Sequence, residues 1–368
     1  MVCWIILCYH VASLNFFIVC FKILYVKVSV MNEKSNESQD QALTDDADQM
    51  LYGIEDVPPA GTAVLLALQH ILAAFAGIIA VPLVVCKALD LGMAETSIML
   101  SATIFASGIT TFIQSKGIGP VGARVSGMMG TDFTFVNPTI SVGAQFGIAG
   151  IVAATITGSA VEVVLSRFIK PLMKFFPPLI TGTVVSLIGI TLLPVSMDWA
   201  ADGTGAADYG SLRNIGIAFA IMILTLLLNH FGKGIIRSAA VFIGMAAGYV
   251  ICIPMGMVNL QSIADAQWFA LPNVFRYGFH FDPASTLAFV PAYLVSTIGT
   301  VGIMIAVGES SRAKLSSDRV AGGVLCDGVG SAISGLFGAG PNTAFSQNVG
   351  LIALTKVASR RVMMTTLF

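Results

Sequence analysis

The chain has 368 residues and a formal net charge of −1, and 56% of its residues are hydrophobic while only 11% are charged. A soluble domain usually carries about 25% charged residues, so this composition excludes an ordinary soluble protein and predicts an integral membrane protein. The near-neutral charge, without a basic cluster, gives no indication of nucleic-acid binding. The six cysteines lie in apolar runs without paired spacing, which favours buried side chains over a metal site or disulfides.

Residues 1–60 differ in character from the rest of the chain. Residues 1–30 are apolar, but they lack the basic start and the cleavage site of a signal peptide. They are long enough for one extra membrane helix, and the alternative is that translation begins at Met31 and the first thirty residues are an artefact. The polar, acidic stretch that follows predicts a disordered tail.

From residue 62 onward, hydrophobic segments long enough to cross a bilayer follow one another closely. They are predicted at residues 62–87, 94–114, 127–145, 147–166, 172–194, 211–230, 236–255, 285–308, 319–337 and 341–356, with an eleventh beginning at 361. Thirteen Lys and Arg residues lie in loops that follow even-numbered segments, and only three lie in loops that follow odd-numbered ones. This bias predicts that the even-numbered loops and the acidic N-terminal tail face the cytoplasm.

Segments three and ten each open with a polar stretch that does not fit a membrane helix. Segment ten begins at Pro341, and its apolar run starts only at Val349. In segment three a polar stretch precedes Pro138, a residue type that fits the first turn of a helix. Irregular backbone at bilayer depth is tolerated only where it is buried in protein or lines a cavity, and transporters place substrate sites at such breaks.

The two interrupted segments also echo each other. Residues 135–137 (FVN) align with residues 345–347 (FSQ), and the segments lie seven apart in the predicted order. This spacing predicts a seven-helix unit that is repeated with inverted topology. The alternative is a proline-kinked helix and a chance match.

Four stretches resemble the nucleobase–ascorbate transporters, also called nucleobase–cation symporter family 2. They are QNVGLIALTKVASR (347–360), LQHILAAFAGIIAVPL (68–83), FPPLITGTVVSLIGITLL (176–193) and GGVLCDGVGSAISGLFG (322–338). The likeness runs from residue 61 to the end, and FSQNVG is most similar to the xanthine and uric acid permeases. It implies an all-α polytopic membrane protein with inverted seven-helix repeats and short strands in broken helices three and ten. Because the chain ends at Phe368, we expect the second repeat to be incomplete.

The resemblance also implies two domains and a function. Residues 61–166 (helices 1–4) and 285–368 (helices 8–10 and the start of 11) would form a core domain, and residues 167–284 (helices 5–7) a gate domain. The implied function is proton-coupled uptake of a purine nucleobase, xanthine or uric acid, across the cell membrane. A non-transporting fragment, or a binding or regulatory subunit of the same family, is the alternative. No nucleophile–base pair or metal-binding spacing argues for an enzyme, and no cofactor is expected.

Gln347 is the leading candidate for substrate recognition. Its carboxamide can donate and accept at once, so it can hold the amide-like edge of an oxopurine. A helix–helix hydrogen bond is the alternative role for Gln347, and a core role is the alternative for each phenylalanine that could stack on a flat base. The predicted substrate-binding residues are Gln347, Asn348, Phe345, Ser346, Phe133, Phe135, Gln69 and His70. Asn348 is expected to hold the broken helix together, and His70 to shape the site or to make a satisfied bundle contact.

Asp327 and His70 are the predicted proton-coupling residues, and sodium is kept open as the coupling ion. Asp327 is selected because ionisable residues within the membrane are functional by default. Gly299 departs from the family pattern by replacing a base-binding Glu, and Ile303 replaces a polar residue one turn later. Losing a charged acceptor typically costs about 1.5–3 kcal/mol, roughly ten- to a hundredfold in affinity.

Two further acidic residues, Asp132 and Glu309, are weaker candidates for a role within the membrane. Glu162 is expected to lie near a helix end. Beyond a purine base and a coupling ion, the expected partner is the lipid bilayer, and a homodimer is left open.

Overall fold

The computed structural model describes residues 50–172, 208–232, 240–257 and 273–367, together with positions 197, 200–202 and 236. The N-terminal extension up to residue 49 and nearly all of predicted segment five lie outside the described residues. The described part of the chain is mostly α-helical, which confirms the predicted all-α polytopic membrane class.

The described helices follow the predicted segments closely. In chain order they are α1 (Ala60–Ala88), α2 (Met93–Lys116), α3 (Val136–Gly158), α4 (Ala160–Ser166), α5 (Ile169–Leu172), α6 (Leu212–Phe231), α7 (Ala240–Cys252), α8 (Pro283–Ser310), α9 (Ser317–Leu336), α10 (Gln347–Thr355) and α11 (Arg360–Met364). Within this part of the chain, five helical runs are long and apolar enough to cross a membrane: Ala60–Ala88, Met93–Lys116, Phe133–Ser166, Leu212–Phe231 and Pro283–Ser310.

The 34-residue run Phe133–Ser166 contains the boundary between predicted segments three and four. The backbone of Gly147 leaves the helical region there, with φ 67° and ψ −168°. Glycine tolerates this positive φ because it has no Cβ atom. The run is longer than the roughly 20 residues that one crossing needs. The break at Gly147 divides it into two helical parts.

Short strands occupy the polar openings of segments three and ten, as predicted. β1 (Met129–Thr131) and β2 (Asn342–Ala344) pair antiparallel, and the Phe345 N–H extends the pairing by donating to the Met128 carbonyl over 2.8 Å. Every residue of both strands is buried. This pairing therefore satisfies backbone groups that the two breaks would otherwise leave unpaired in the strands.

A hydroxyl group from a neighbouring helix brackets the first residue of each strand. Thr111 on α2 accepts a hydrogen bond from the Met129 N–H (2.9 Å) and donates to the Met129 carbonyl (3.5 Å). Ser331 on α9 makes the same two contacts with Asn342, each at 3.0 Å. The two strands are thus held in equivalent ways by two different helices.

These equivalent contacts align the two segments in a different register from the one predicted from their sequence similarity. The brackets relate Met129 to Asn342, which is three residues away from the alignment of 135–137 with 345–347. A 3₁₀ turn at Phe133–Phe135 lies between β1 and α3 and has no counterpart between β2 and α10. One ungapped alignment therefore cannot match both the strands and the helices that follow them.

The described loops gather on two opposite faces. On one face Glu55 forms an ion pair with Arg360 at 2.6 Å, and Arg360 also donates to the Lys116 carbonyl over 3.1 Å. Arg319 donates to the Ala123 carbonyl on the same face, over 2.9 Å. The segment before α1 and the loops after α2, α8 and α10 therefore lie together.

The opposite face is closed by the segment before α8. The Tyr277 hydroxyl donates to Glu95 at the start of α2 over 2.5 Å, and the Phe275 N–H donates to the Leu336 carbonyl at the end of α9 over 2.8 Å. Burial and the hydrogen bond to Glu95 raise the pKa of Tyr277, so its hydroxyl keeps its proton. The start of α2, the segment before α8 and the end of α9 therefore lie together on this second face.

We expect Gly130→Ala to destabilise the strand pair. A Cβ atom at Gly130 would lie 2.7 Å from Phe345 Cζ and 2.8 Å from Ile78 Cγ1, and overpacking of this kind typically costs about 1–3 kcal/mol. The Tm of the purified protein in detergent should therefore fall. Gly350→Ala on α10 is the matched control, because nothing lies within 4 Å of its Cβ position. Equal Tm values for both variants would contradict tight packing of Phe345 on β1.

Candidate substrate site

Four predicted site residues, Phe345, Ser346, Gln347 and Asn348, lie at the start of α10, and Asn348 contacts a fifth, His70. Helix α1 packs against β1 and α10, and α8 packs against β2 and α10. The start of α10 is thus enclosed by a membrane helix on either side and by the strand pair. The structure brings residues from distant parts of the sequence to this one place.

The N-terminus of α10 has unused hydrogen-bond donors. Among the described residues, none accepts from the backbone N–H groups of Ser346, Gln347 or Asn348. The free N–H groups of a helix start carry a partial positive charge and suit carbonyl oxygens or anions. Half-helices of this kind present such ends to substrates in transporters.

Gln347 occupies the first position of α10 and is partly exposed. Its carboxamide makes no hydrogen bond within the described part of the chain, and neither does the partly exposed hydroxyl of Ser346. The helix–helix hydrogen bond considered as the alternative for Gln347 is therefore not formed with any described residue. The amide keeps both donor and acceptor available for a ligand.

Asn348 links α10 to α1. Its Nδ2 group donates to His70 Nδ1 over 2.8 Å and to the His70 carbonyl oxygen over 3.2 Å, and it lies 3.7 Å from Met128 Sδ. Both His70 atoms act as acceptors, so the imidazole carries its proton on Nε2 when it is neutral. His70 and its neighbour Gln69 are both buried on α1. Asn348 is thus placed to hold the break together.

The three phenylalanines are all buried. Phe135 packs against Tyr293 (4.8 Å between ring centroids) and Phe289 (6.4 Å), and Phe345 belongs to an apolar cluster with Ile78. These contacts agree with the core role that the sequence left as the alternative for Phe135 and Phe345. Phe133 lies in the 3₁₀ turn after β1.

A polar network lies behind β2. The Thr300 and Thr343 hydroxyls both donate to Asp327 Oδ2, the second over 3.0 Å, and Ser296 donates to Thr343 Oγ1 over 3.0 Å. Asp327 Oδ1 has no partner among the described residues. Asp327 is fully buried and is connected to the substrate-site strand through Thr343.

The two departures from the family pattern lie on α8 beside this network. A Cβ atom at Gly299 would meet nothing within 4 Å, so a side chain could enter open space there. Ile303, one turn later, packs against a buried apolar cluster that includes Val301 and Met304. Space for a side chain is thus open at Gly299, whereas the Ile303 side chain forms part of the apolar packing.

Sequence reasoning missed two features of this region. The hydroxyl groups around Asp327 carry no distinctive pattern, since Ser and Thr are common in membrane helices. Glu162 was expected near a helix end. It lies near the start of the short helix α4 but is fully buried and interacts with Asp327. Its position among valines in the run AVEVV was the available signal of burial.

We expect Asn348→Ala to lower stability by about 1–3 kcal/mol, because His70 Nδ1 would lose its donor inside the protein. The measurement is the Tm of the purified protein in detergent. Asn137→Ala near the start of α3 is the matched control, since Asn137 is exposed. A fall in Tm of the same size in both variants would argue against a structural link from α10 to α1.

Comparisons with known proteins agree with this architecture. The model of a permease family, the nucleobase–ascorbate transporters, matches residues 61–368. A putative purine permease of Clostridium perfringens is 56% identical over 313 residues, which is 85% of this chain and 69% of that protein. The uric acid transporter UacT of Escherichia coli is 38% identical over 89% of this chain and 67% of its own length. A xanthine permease of Bacillus subtilis is 35% identical over 83% and 70%, respectively. This chain therefore belongs to the nucleobase–ascorbate transporter family and is a membrane transport protein rather than an enzyme.

Proposed function

We propose that this chain takes up a purine nucleobase, xanthine or uric acid, across the cell membrane by proton symport. The observation that carries the proposal is the free carboxamide of Gln347 at the open N-terminus of α10. Relatives named as uric acid and xanthine transporters support this substrate class.

The chemistry of the site suits an oxopurine. Such a base is flat, and its ring N–H groups alternate with carbonyl oxygens along its edge. The Gln347 carboxamide can accept from a ring N–H and donate to the adjacent carbonyl, while the free N–H groups of α10 can donate to a further oxygen. These groups lie beside buried backbone. Hydrogen bonds contribute more to specificity in such a site than they do in water.

The placement of the site supports alternating access. We infer that residues 61–166 and 285–368 form a core domain that moves against a gate domain at residues 167–284. The matching brackets that Thr111 and Ser331 place around the two strands support an inverted repeat. A site between two half-helices of such a repeat can face either side of the membrane in turn.

We infer that the face carrying the Glu55–Arg360 ion pair is cytoplasmic. Arg319, Arg124 and Lys116 also lie in or beside the loops of this face. The excess of cationic residues in these loops supports this orientation. The acidic tail before residue 50 would then begin in the cytoplasm.

A second candidate function is binding without transport, as a subunit or fragment of the same family. The observation that favours it is the pair Gly299 and Ile303, which supply neither an acceptor nor a proton carrier. Uptake of labelled xanthine, urate and uracil by cells expressing the chain separates the two. Saturable uptake of xanthine or urate supports the permease, and binding without uptake supports the second function.

We expect Gln347→Ala to abolish purine recognition while membrane insertion persists. The residue is partly exposed and bonds to no described side chain, so its removal should not disturb packing. The measurement is saturable uptake or binding of labelled xanthine, with a membrane blot for insertion. Gln145→Ala is the control, because Gln145 is exposed and donates only to the Ser141 carbonyl. Unchanged xanthine recognition in Gln347→Ala would remove Gln347 from the site.

We expect Gly299→Glu to tighten xanthine binding by roughly tenfold or more, because the new carboxylate would enter open space and accept from the base. The Kd for labelled xanthine in membranes measures this gain. Gly299→Gln is the matched control, with a similar shape and no charge. A carboxylate that brings no gain over the wild type would mean that the base binds away from Gly299.

A further inference from the structure

Glu162 is an isolated carboxyl group inside the protein. It lies on α4 with 0% exposure, and neither of its side-chain oxygens has a hydrogen-bond partner among the described residues. No described cationic side chain pairs with it. A buried carboxylate without a partner is strongly unfavourable, so a group in this position is stable only in its protonated, neutral form.

The residues around Glu162 come from α8 and α9. Asp327 and Cys326 of α9 and Tyr293 of α8 interact with it electrostatically. The Ser296 hydroxyl is also close, but it donates to Thr343 Oγ1. Helix α9 packs directly on this turn of α4, because a Cβ atom at Gly328, next to Asp327, would lie 3.0 Å from the Ser159 carbonyl oxygen and 3.1 Å from the Val163 nitrogen. Asp327 is therefore the acid on the facing helix with which Glu162 can exchange a proton.

The two acids have unequal environments. Asp327 Oδ2 accepts from the Thr300 and Thr343 hydroxyls, and hydrogen bonds of this kind favour a carboxylate over a carboxylic acid. Neither Glu162 oxygen accepts such a hydrogen bond within the described part of the chain, although the Ser296 hydroxyl lies near it. Asp132 is the other acidic group whose charge acts on Asp327. Of the two acids, Asp327 is therefore the one that releases a proton more easily, because its hydroxyl donors stabilise the carboxylate that remains.

A cavity lies one helical turn from Glu162. It has a volume of about 570 Å³, and Ser166, Leu325 and Arg319 contribute to its lining on the side of the Glu55 face. Ser166 follows Glu162 by four residues, so their Cβ atoms are about 5–6 Å apart on one side of α4. The wall of the cavity therefore lies one turn of α4 away from Glu162.

We propose that Glu162 relays protons between Asp327 and the cavity at the Glu55 face. This inference rests on the proposed proton symport. Glu162 gives its proton to water in the cavity and takes the proton bound at Asp327. One O–H bond breaks and one forms in each transfer, so one proton leaves the pair overall. The emptied Asp327 carboxylate then accepts the Thr343 hydroxyl again, which links the proton to strand β2.

A transport assay in vesicles tests the relay with Glu162→Gln, which keeps the side-chain shape but cannot carry a proton. Accumulation of labelled xanthine driven by a proton gradient should fall by about tenfold or more, while xanthine–xanthine exchange, which needs no net proton release, should persist. Glu309→Gln, an exposed residue at the end of α8, should leave both activities unchanged. Loss of both activities in Glu162→Gln, retention of both, or accumulation that follows a sodium gradient would overturn the relay.

Infrared spectroscopy tests the protonated state of Glu162 without transport. The purified wild-type chain at neutral pH should show a carboxylic-acid C=O band that shifts when the protein is labelled with ¹³C-glutamate. The band should vanish in Glu162→Gln and remain in Glu309→Gln. If Glu162→Gln fails to fold, the isotope shift in the wild type still decides, because a band that moves only with ¹³C-aspartate overturns the assignment. A wild-type chain without uptake but with the glutamate band would reject the proposed function and leave the protonated Glu162 standing.

Discussion

The mutual pairing of two interrupted helices is the constraint on which the rest of the structure depends. A membrane interior offers no water to unpaired backbone, so neither β1 nor β2 could remain extended without the other. Their pairing fixes where α3 and α10 begin and thereby exposes the donors at the start of α10. Residues Thr111 and Ser331 hold the outer backbone groups, which leaves the helix start as the unsatisfied end.

The polar groups around the strand pair differ in whether they are already hydrogen-bonded. The Gln347 carboxamide and the helix-start N–H groups in front of β2 remain available, whereas the hydroxyls behind it are engaged with Asp327. Thr343 belongs to both environments, since its backbone pairs with β1 and its hydroxyl reaches the buried acid. A change in charge at Asp327 can therefore alter the strand that carries the substrate site without any direct contact between acid and ligand.

The sequence predicted the helices, the two breaks and the alternating loops because hydropathy, proline and charge act locally along the chain. It could not predict the register between the breaks, since the 3₁₀ turn after β1 shifts one unit against the other. It also left open whether Phe135 and Phe345 face the core, because a phenylalanine in a membrane protein can do either. The environment of Glu162 depends on three helices meeting, which no local pattern encodes.

The strand pair also orders the events of biosynthesis. β1 enters the membrane with its backbone groups unsatisfied, and its partner exists only once Ala344 has left the ribosome. At a synthesis rate of about 5–20 residues per second, the interval between the synthesis of β1 and that of β2 is on the order of ten seconds or more. The Glu55–Arg360 ion pair, which joins residues 305 positions apart, can likewise form only after Arg360 has been synthesised. Until the second half of the core has been synthesised, the first half must therefore be shielded from lipid, either by the insertion machinery or by its neighbouring helices.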